Sequence, residues 1–313
     1  VSYTYDPLFP PKVTYTYDRL GRQNTIARAG AETATLAYND ANELLIESYA
    51  GGTLSGLSVT NGYDQYLRRT NLFALNGSTV LTYATNSYDA ASRLATVSDG
   101  TQNATYSYLA NSPLVGTVTF KQNTTPQMTT TKQYDFLNRL TSIASVGTGS
   151  TPSPISYAYI YNNANQRTRV TLADGSYWRY DYDTLGQVKR GAKYWSDGSP
   201  VAGQQFEYGF DDIGNRKSTK AGGDASGANL SLASYTPNNL KQYSSRTVPG
   251  GFDVIGLAMG NNSTLTVNSV APWRKGEYFR KDLTFDNSSV PVWQPVSVEA
   301  TGETTVSGNV FVP

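Results

Sequence analysis

An aromatic residue followed directly by Asp or Asn recurs along the first 240 residues of the chain. The clear occurrences begin at Tyr17, Tyr38, Tyr63, Tyr88, Tyr134, Tyr161, Tyr182 and Phe210. Two weaker members, Tyr108-Leu109 and Tyr235-Thr236, fill the gaps, so successive aromatic residues lie 20 to 28 positions apart. A period of this length indicates ten tandem copies of one supersecondary unit, which bury their apolar surfaces against each other.

The fourth position after the aromatic residue is Gly or Asn in seven of the ten copies. These two residue types adopt a left-handed backbone most readily. The Asp or Asn three positions earlier is suited to cap a type I turn through its side chain. The pattern therefore predicts a hairpin tip in each copy. The tip residues selected on this basis are Asp18, Gly21, Asp89, Asp135, Asn138, Asp183, Gly186, Asp211 and Gly214.

The segment that enters each tip alternates tyrosine with a small or polar residue. This alternation places the tyrosines on one face of a strand, where neighbouring copies form a ladder of rings. The predicted ladder residues are Tyr15, Tyr17, Tyr106, Tyr108, Tyr159, Tyr161, Tyr180, Tyr182 and Tyr208. Dipeptides such as Asp99-Gly100 between copies favour two-residue turns. We therefore expect an all-β chain of tandem β-hairpins, with roughly twenty strands in a curved, spiralling sheet.

Composition excludes several kinds of chemistry. The chain has no histidine and no cysteine, which excludes histidine-dependent nucleophiles, His- or Cys-ligated metals and disulfide bonds. The net charge of +1 gives no basic surface for nucleic acid. No apolar segment reaches the roughly 20 residues that span a bilayer. We expect no cofactor, no nucleic-acid partner and no membrane span, and we interpret the chain as a segment of a longer polypeptide.

The first tip contains the sequence Tyr-x-Tyr-Asp-x-x-Gly-Arg at Tyr15 to Arg22, with looser versions at 180–187 and 208–215. This motif resembles the YD repeat of the Rhs family of bacterial polymorphic toxins, of insecticidal toxin-complex subunits and of animal teneurins. The resemblance covers about residues 1–245. It implies a long β-sheet wound into a hollow shell, with these repeats as the wall. In Rhs and toxin-complex proteins the shell encloses a C-terminal toxin, and in teneurins it is part of an adhesion receptor.

The same resemblance implies a secreted or cell-surface bacterial protein. Its implied partners are the remainder of a longer polypeptide, an encapsulated cargo, or a glycan or cell-surface molecule. Toxin-carrying members have an Asp-Pro-x-Gly type motif where the chain cleaves itself, whereas the one Asp-Pro here, Asp6-Pro7, precedes Leu8-Phe9 and lies at the opposite end. The sequence therefore assigns neither cleavage nor cargo. Ten repeats predict a partial wall, whose terminal strands expose edges that favour edge-to-edge self-association.

The repeat period ends near Val248, and Pro249-Gly250-Gly251 follows as a boundary. We therefore assign residues 1–248 to the repeat wall and residues 249–313 to a small β-sandwich-like module, with continued wall as the alternative. Strand patterns at 264–270, 277–285, 292–300 and 307–312 support the module. Trp273 and Trp293 adjoin alternating apolar residues and are expected in its core.

Three groups of residues have the composition of chemical sites. The carboxylate pairs Asp181/Asp183 and Asp211/Asp212 have the composition of a glycosidase or calcium site, although tip capping already explains Asp183 and Asp211. Residues 222–227 are glycine-rich but lack the Gly-Lys-Ser/Thr of a phosphate loop, which favours a flexible reversal. Arginine recurs after the tip, where it can pair with the tip Asp, stack on Tyr or bind an anion. These arginines are Arg22, Arg68, Arg93 and Arg139.

Two functions compete on this evidence. The first is a non-catalytic wall that encloses a polypeptide cargo, and the second is an extracellular adhesion or glycan-binding surface. An enzyme is not expected, because the sequence shows no converging acid and base. The position of the tyrosines separates the two functions: rings packed in ladders on the concave side of the sheet would line a chamber, and rings clustered at loop tips would recognise a partner.

Overall fold

A computed structural model of the chain describes residues 3–5, 12–149, 155–258, 264–300 and 305–313. Asp6-Pro7 lies outside these residues. Within them all regular secondary structure is β-strand, which confirms the all-β prediction. The chain comprises two structural units, residues 1–155 and 156–313, and the expected boundary at 248/249 falls inside the second.

The first unit is an antiparallel meander in which each described strand pairs with the next one along the chain. Its strands are β1 (Tyr3–Tyr5), β2 (Val13–Tyr17), β3 (Gln23–Arg28), β4 (Thr33–Tyr38), β5 (Leu44–Ala50), β6 (Leu57–Tyr63), β7 (Arg69–Asn76), β8 (Thr79–Tyr88), β9 (Leu94–Ser98), β10 (Gln102–Tyr108), β11 (Val115–Gln122), β12 (Thr125–Tyr134) and β13 (Leu140–Gly147). The predicted tips join β2 to β3, β4 to β5 and so on, and therefore all lie on one edge of this meander.

The second unit begins with a meander of the same kind. Its strands are β14 (Ile155–Tyr161), β15 (Arg167–Leu172), β16 (Tyr177–Tyr182), β17 (Val188–Tyr194), β18 (Pro200–Phe210), β19 (Arg216–Gly222), β20 (Leu230–Pro237) and β21 (Tyr243–Arg246). Two three-stranded antiparallel sheets follow, in the orders β22-β25-β24 and β23-β26-β27. Their strands are β22 (Gly251–Leu257), β23 (Leu265–Val267), β24 (Trp273–Lys275), β25 (Tyr278–Thr284), β26 (Val292–Ala300) and β27 (Val306–Val312).

Each of the ten described tip hairpins contains a β-bulge at the same place. In the first hairpin Thr16 pairs with Thr25 whereas Tyr17 pairs with Gln23, so Asn24 is an extra residue on the returning strand. A bulge increases the local twist of a hairpin and fixes its register. The ten copies therefore share the bulged hairpin, although the fifth has a six-residue tip closed by Leu109 and Leu114.

The tenth hairpin differs from the frame expected from the sequence. Its bulge lies at Pro237, and Asn238 rather than Thr236 is the first residue of the tip. Tyr235 therefore corresponds to the earlier tyrosine of the Tyr-x-Tyr pair, and proline occupies the position of the later one. The alignment on Tyr235 was two residues too early, because proline replaces the aromatic residue that marks the other copies.

The backbone of the fourth tip residue is left-handed in nine of the ten tips. The residues are Gly21 (φ +77°), Asn42 (+67°), Leu67 (+62°), Ser92 (+60°), Asn138 (+61°), Asn165 (+61°), Gly186 (+81°), Gly214 (+87°) and, in the tip that begins at Asn238, Lys241 (+62°). In the fifth tip, which begins at Leu109, the positive φ occurs one residue earlier, at Asn111 (+53°). The backbone is therefore left-handed at this tip position even where the residue is Leu or Ser.

Replacement of Leu67 by Asn should raise the free energy of unfolding by about 1 kcal/mol, because a left-handed backbone is costly for a residue with a large side chain and mild for Asn. Leu67 is 56% exposed, so the substitution removes little packing. Denaturant titration of the chain measures the change. Leu20→Asn is the control, since Leu20 is 70% exposed in the first tip and is not among the residues with positive φ. An equal gain in both variants would contradict the strain argument.

The two C-terminal sheets share one apolar core. Its buried members are Ala258, Leu265, Val267, Phe279 and Val296. The expected core tryptophans lie elsewhere, since Trp273 is 37% exposed and Trp293 is 64% exposed. Trp293 pairs across β26 and β27 with Phe311, and their ring centroids are 6.1 Å apart. The prediction of core tryptophans was wrong because Val296 and Val298 on β26 contribute to the core, whereas Trp293 belongs to the opposite alternation.

The C-terminal sheets contact the meander of the same unit. The hydroxyl of Tyr278 donates a hydrogen bond to the carbonyl of Ala202 at 2.5 Å, and burial raises the pKa of Tyr278 to about 12. Ile255 lies against Gly203. At the periphery Lys275 Nζ lies 2.6 Å from Asp197. Ile255 of β22 and Tyr278 of β25 therefore pack against Gly203 and Ala202 of β18.

Candidate functional site: contacts between successive repeats

The first residue of each tip organises the tip backbone. Asp18 Oδ1 accepts hydrogen bonds from the N–H groups of Leu20 and Arg22, both at 2.9 Å. The N–H of Asp18 donates to the carbonyl of Arg22 at 2.8 Å, which closes a five-residue tip. The same side-chain acceptor occurs at Asp64, Asp89, Asp135, Asn162, Asp183, Asp211 and Asn238. The selected Asp residues therefore all occupy the first tip position, and Gly21, Asn138, Gly186 and Gly214 occupy the fourth.

The side chains of the first and fifth tip residues are chemically matched. In five of the six tips that begin with Asp, the fifth residue supplies a side-chain donor at 2.7 to 2.8 Å, as in Asp18–Arg22, Asp64–Arg68, Asp89–Arg93, Asp135–Arg139 and Asp211–Asn215. In the sixth, the backbone N–H of Gln187 donates to Asp183. Where the first residue is Asn, its amide nitrogen donates to a fifth residue with a side-chain oxygen, as in Asn39–Glu43, Asn162–Gln166 and Asn238–Gln242. An acceptor-only carboxylate and an amide donor thus select opposite partners.

The arginine in the fifth position also reaches the next repeat. Arg22 Nη1 donates to the carbonyl of Asn39 at 2.9 Å, and its Cζ lies 4.9 Å from the centroid of the Tyr38 ring. Arg93 donates to the carbonyl of Ser112 at 2.6 Å and lies 4.2 Å above Tyr108. The guanidinium groups of Arg22, Arg68 and Arg93 therefore each link their own tip carboxylate to the ring and the tip of the following copy.

The tyrosine hydroxyls join the repeats in the opposite direction along the chain. Tyr38 donates to the carbonyl of Gln23 at 2.9 Å, and Gln23 is the residue that pairs with Tyr17 across the first tip. The equivalent bonds run from Tyr63 to Leu44, Tyr88 to Arg69, Tyr108 to Leu94, Tyr134 to Val115 and Tyr182 to Arg167, at 2.7 to 3.1 Å. The sequence predicted stacked rings but not these hydroxyl bonds. The near-exclusive use of Tyr rather than Phe in this column is the signal that could have revealed them.

The other predicted ladder tyrosines lie within the sheets, each partly buried. Arg167 lies 4.2 Å above Tyr159, and Arg216 lies 5.5 Å above Tyr208. Tyr180 stacks on Trp178 with ring centroids 6.5 Å apart, and burial raises its pKa. The remaining members, Tyr15, Tyr17, Tyr106 and Tyr161, occupy β2, β10 and β14. The rings therefore belong to strands and not to loop tips.

The two carboxylate pairs do not converge on a shared site. Asp183 and Asp211 are first residues of tips, and Asp181 pairs with Arg179 at 3.3 Å while Asp212 is exposed. Among the described residues no group of three or more His, Cys, Asp and Glu side chains could hold a metal ion. In the glycine-rich segment Asp224 caps a turn, where a hydrogen bond from the Ser226 hydroxyl lowers its pKa to about 2. No helix that could cross a membrane occurs in the described part of the chain.

Hydrogen bonds lower the pKa of several tip aspartates. At Asp64 the principal cause is the Arg68 guanidinium, and at Asp89 it is the backbone N–H of Arg93. At Asp18, Asp135 and Asp211 burial acts in the opposite direction, but hydrogen bonds from the fifth and third tip residues outweigh it. Each of these carboxylates is therefore more acidic in the folded chain than in the unfolded chain.

This lowering predicts a defined loss of stability in acid. A carboxyl with a depressed folded-state pKa stabilises the fold above its unfolded pKa of about 3.9, and this contribution disappears as the pH falls through the folded value. We therefore expect the melting temperature to be nearly constant between about pH 7 and 5 and to fall below about pH 4. Asp89→Asn should lower the melting temperature at pH 7 but reduce the acid-dependent drop. If the melting temperatures of the variant and the parent chain fall equally as the pH is lowered, the tip aspartates do not cause the loss of stability in acid.

No family model matches the chain, and no curated protein matches it by sequence. Solved structures do match by fold. The TcdB2-TccC3-Cdc42 crystal structure is 13% identical with a TM-score of 0.57, and the match covers 97% of this chain and 16% of the other. The TcdB2-TccC3-TEV crystal structure and the Photorhabdus luminescens Tc holotoxin pore with the TccC3-D651A mutation give the same identity and coverage, with TM-scores of 0.55. The chain thus spans about one sixth of the length of these neighbours. It has the β-sheet fold of these toxin-complex proteins, as its resemblance to YD/Rhs repeats predicts.

Proposed function

We propose that this chain is a non-catalytic segment of a β-shell that encloses a polypeptide cargo. The observation that carries the proposal is the use of the repeat tyrosines. Each hydroxyl in the column from Tyr38 to Tyr134 is bonded to the carbonyl of the preceding hairpin, and several rings lie beneath arginine. Aromatic rings used in this way hold neighbouring hairpins together. They are not available as a platform for a glycan.

The shared fold supports the same proposal. The neighbours named above are toxin-complex structures, and their resemblance to this chain extends over nearly its whole length. On this basis we assign the chain to a secreted bacterial protein whose partners are the remainder of a longer polypeptide and an enclosed cargo. Its hairpins would form part of the wall that separates the cargo from solvent and proteases.

The absence of catalysis is part of the proposal. Asp183 and Asp211, the carboxylates with the most regular positions, already accept backbone hydrogen bonds in their tips. A hydrolysis screen over glycans and peptides should show no turnover. Turnover that is abolished by Asp181→Asn or Asp212→Asn, with an unchanged melting temperature, would instead identify a carboxylate enzyme.

Limited proteolysis of the intact natural polypeptide that contains this chain tests enclosure. A segment inside the shell should survive a protease dose that rapidly cleaves the same segment expressed alone. Addition of denaturant to the midpoint of the wall's unfolding should abolish the protection. Equal cleavage rates in the two contexts, together with retention of the chain on immobilised glycans, would favour the adhesion surface.

A further inference from the structure

A cavity of about 370 Å³ lies between the meander of the second unit and the first C-terminal strand that follows it. Residues of β18, β19 and β20 line one side of the cavity, and residues of β22 line the other. Its volume falls in the range of roughly 300–1,000 Å³ that is typical of small-molecule sites. The proposed wall function assigns no role to this cavity.

Close contacts at two glycines hold β22 in place beside the cavity. Ile255 packs against Gly203, where an added Cβ would lie 2.6 Å from Ile255 Cδ1. Asp253 packs against Gly222 in the same way, and its Oδ2 occupies the space that a Cβ on Gly222 would need. The buried side chain of Ala233 lines the cavity and is too small to fill it. The cavity is therefore preformed, because β22 cannot move closer to the meander to close it.

Three aromatic rings line the cavity, those of Phe206, Tyr235 and Phe252. Phe206 stacks on Trp178, with ring centroids 6.1 Å apart, which holds its ring in one orientation. Phe252 is 38% exposed, so the cavity is open to solvent beside this ring. Walls of this kind favour an aromatic ligand, because offset and edge-to-face contacts between rings add attraction to the burial of apolar surface.

The cavity also has a cation that lacks a carboxylate partner. Arg246 lines the cavity, is exposed, and has its Cζ 5.9 Å from the centroid of the Tyr235 ring. Among the described residues no carboxylate forms an ion pair with Arg246. A guanidinium beside a ring keeps N–H donors in its own plane, where two of them can bind both oxygens of a carboxylate.

The carboxylate of Asp253 does not cancel this charge. Asp253 also lines the cavity, but Arg280 balances it, with Arg280 Nε 2.8 Å from Asp253 Oδ1. The pKa of Tyr235 agrees with a positive potential in the cavity. A hydrogen bond from the Thr219 hydroxyl and the charge of Arg246 lower this pKa against the opposing effect of burial. The cavity therefore combines aromatic walls with one uncompensated positive charge, which favours an anionic ligand.

We propose that this cavity binds a small aromatic carboxylate. The ring of the ligand packs against Phe206, Tyr235 and Phe252, and its carboxylate accepts two hydrogen bonds from Arg246. This binding goes beyond the proposed wall function, because it requires neither an enclosed cargo nor a neighbouring chain.

Titration of the whole chain with 3-phenylpropionate, followed by NMR of the ligand, tests the proposal. We expect saturable binding, and Arg246→Gln should raise the dissociation constant at least about tenfold because it removes charge-assisted hydrogen bonds. The uncharged 3-phenylpropanamide should bind the parent chain at least about tenfold more weakly than the acid. Arg169→Gln is the matched control, because Arg169 lies 3.7 Å above the Tyr177 ring on the same meander but does not line the cavity.

A second variant tests the cavity itself. Ala221 is an exposed residue of β19 that lines the cavity, so Ala221→Leu should block binding without lowering the melting temperature. Equal affinity for the acid and the amide would overturn the assignment of a carboxylate ligand. The absence of saturable binding, binding that survives both Arg246→Gln and Ala221→Leu, or an equal loss in Arg169→Gln would overturn the proposal.

Discussion

Replacement of Gly203 by Val should lower the free energy of unfolding by about 3 kcal/mol or more, through the sum of backbone strain and overpacking. Gly203 has φ +79°, where a β-branched residue is strained. A Cβ at this position would lie 2.6 Å from Ile255 Cδ1 and 3.2 Å from Ile255 Cγ1. The Ile255 side chain must therefore move to make room for the added Cβ, in addition to the backbone strain.

Gly21→Val is the matched control for this prediction. Gly21 has nearly the same backbone angle, φ +77°, but no heavy atom lies within 4 Å of the Cβ position. The substitution at Gly21 should therefore lower the free energy of unfolding only by the cost of the backbone strain, roughly 1 kcal/mol. Gly186→Val, in another tip with φ +81°, should lower the free energy of unfolding by at least the same amount. Denaturant midpoints measure all three variants, and equal losses at Gly203 and Gly21 would show that the Ile255 contact is unimportant.

Replacement of Arg280 by Met should destabilise the second unit by about 3 kcal/mol at neutral pH, because removal of one partner leaves a buried charge uncompensated. Arg280 Nη2 lies 2.6 Å from Asp253 Oδ1, and the two side chains are only 11% and 21% exposed. Burial raises the pKa of Asp253 even though Arg280 opposes the rise. Without Arg280 that pKa should rise further, so the carboxyl can become neutral in the folded chain.

The effect of Arg280→Met should therefore shrink as the pH falls. A carboxyl with a raised folded-state pKa binds its proton more tightly in the folded chain, so acid favours folding at this site. Chemical denaturation at pH 7 and pH 4.5 measures the difference. Asp253→Asn in the Arg280→Met background should recover much of the loss at pH 7. A loss that is independent of pH, and is not recovered by Asp253→Asn, would indicate that Arg280 acts by packing alone.

The repeat was predictable from sequence because its signal is local. Asp18 and Gly21 determine one turn within four residues, and the same pattern identified left-handed backbone at Leu67 and Ser92, where residue type alone would not. The alignment of the repeats was wrong in the tenth copy, where Pro237 replaces the aromatic residue on which the other copies were aligned.

The remaining features depend on contacts between distant parts of the chain. Tyr278 bonds to Ala202, 76 residues away, and no local pattern indicates that pairing. The orientation of Trp293 likewise depends on which of the two sets of alternating residues on β26 faces the partner sheet. Sequence therefore predicted the hairpins and their tips better than the way in which the C-terminal sheets pack.

The matching of the first and fifth tip residues restricts how duplicated repeats can diverge. A change from the Asp18–Arg22 kind of tip to the Asn39–Glu43 kind requires two substitutions. If Glu arises first, it faces Asp and the two carboxylates repel. If Asn arises first, its oxygen can still accept from arginine, but the ion pair is lost. The second route is the milder one, so lineages of such repeats should pass through Asn–Arg tips and rarely through Asp–Glu tips.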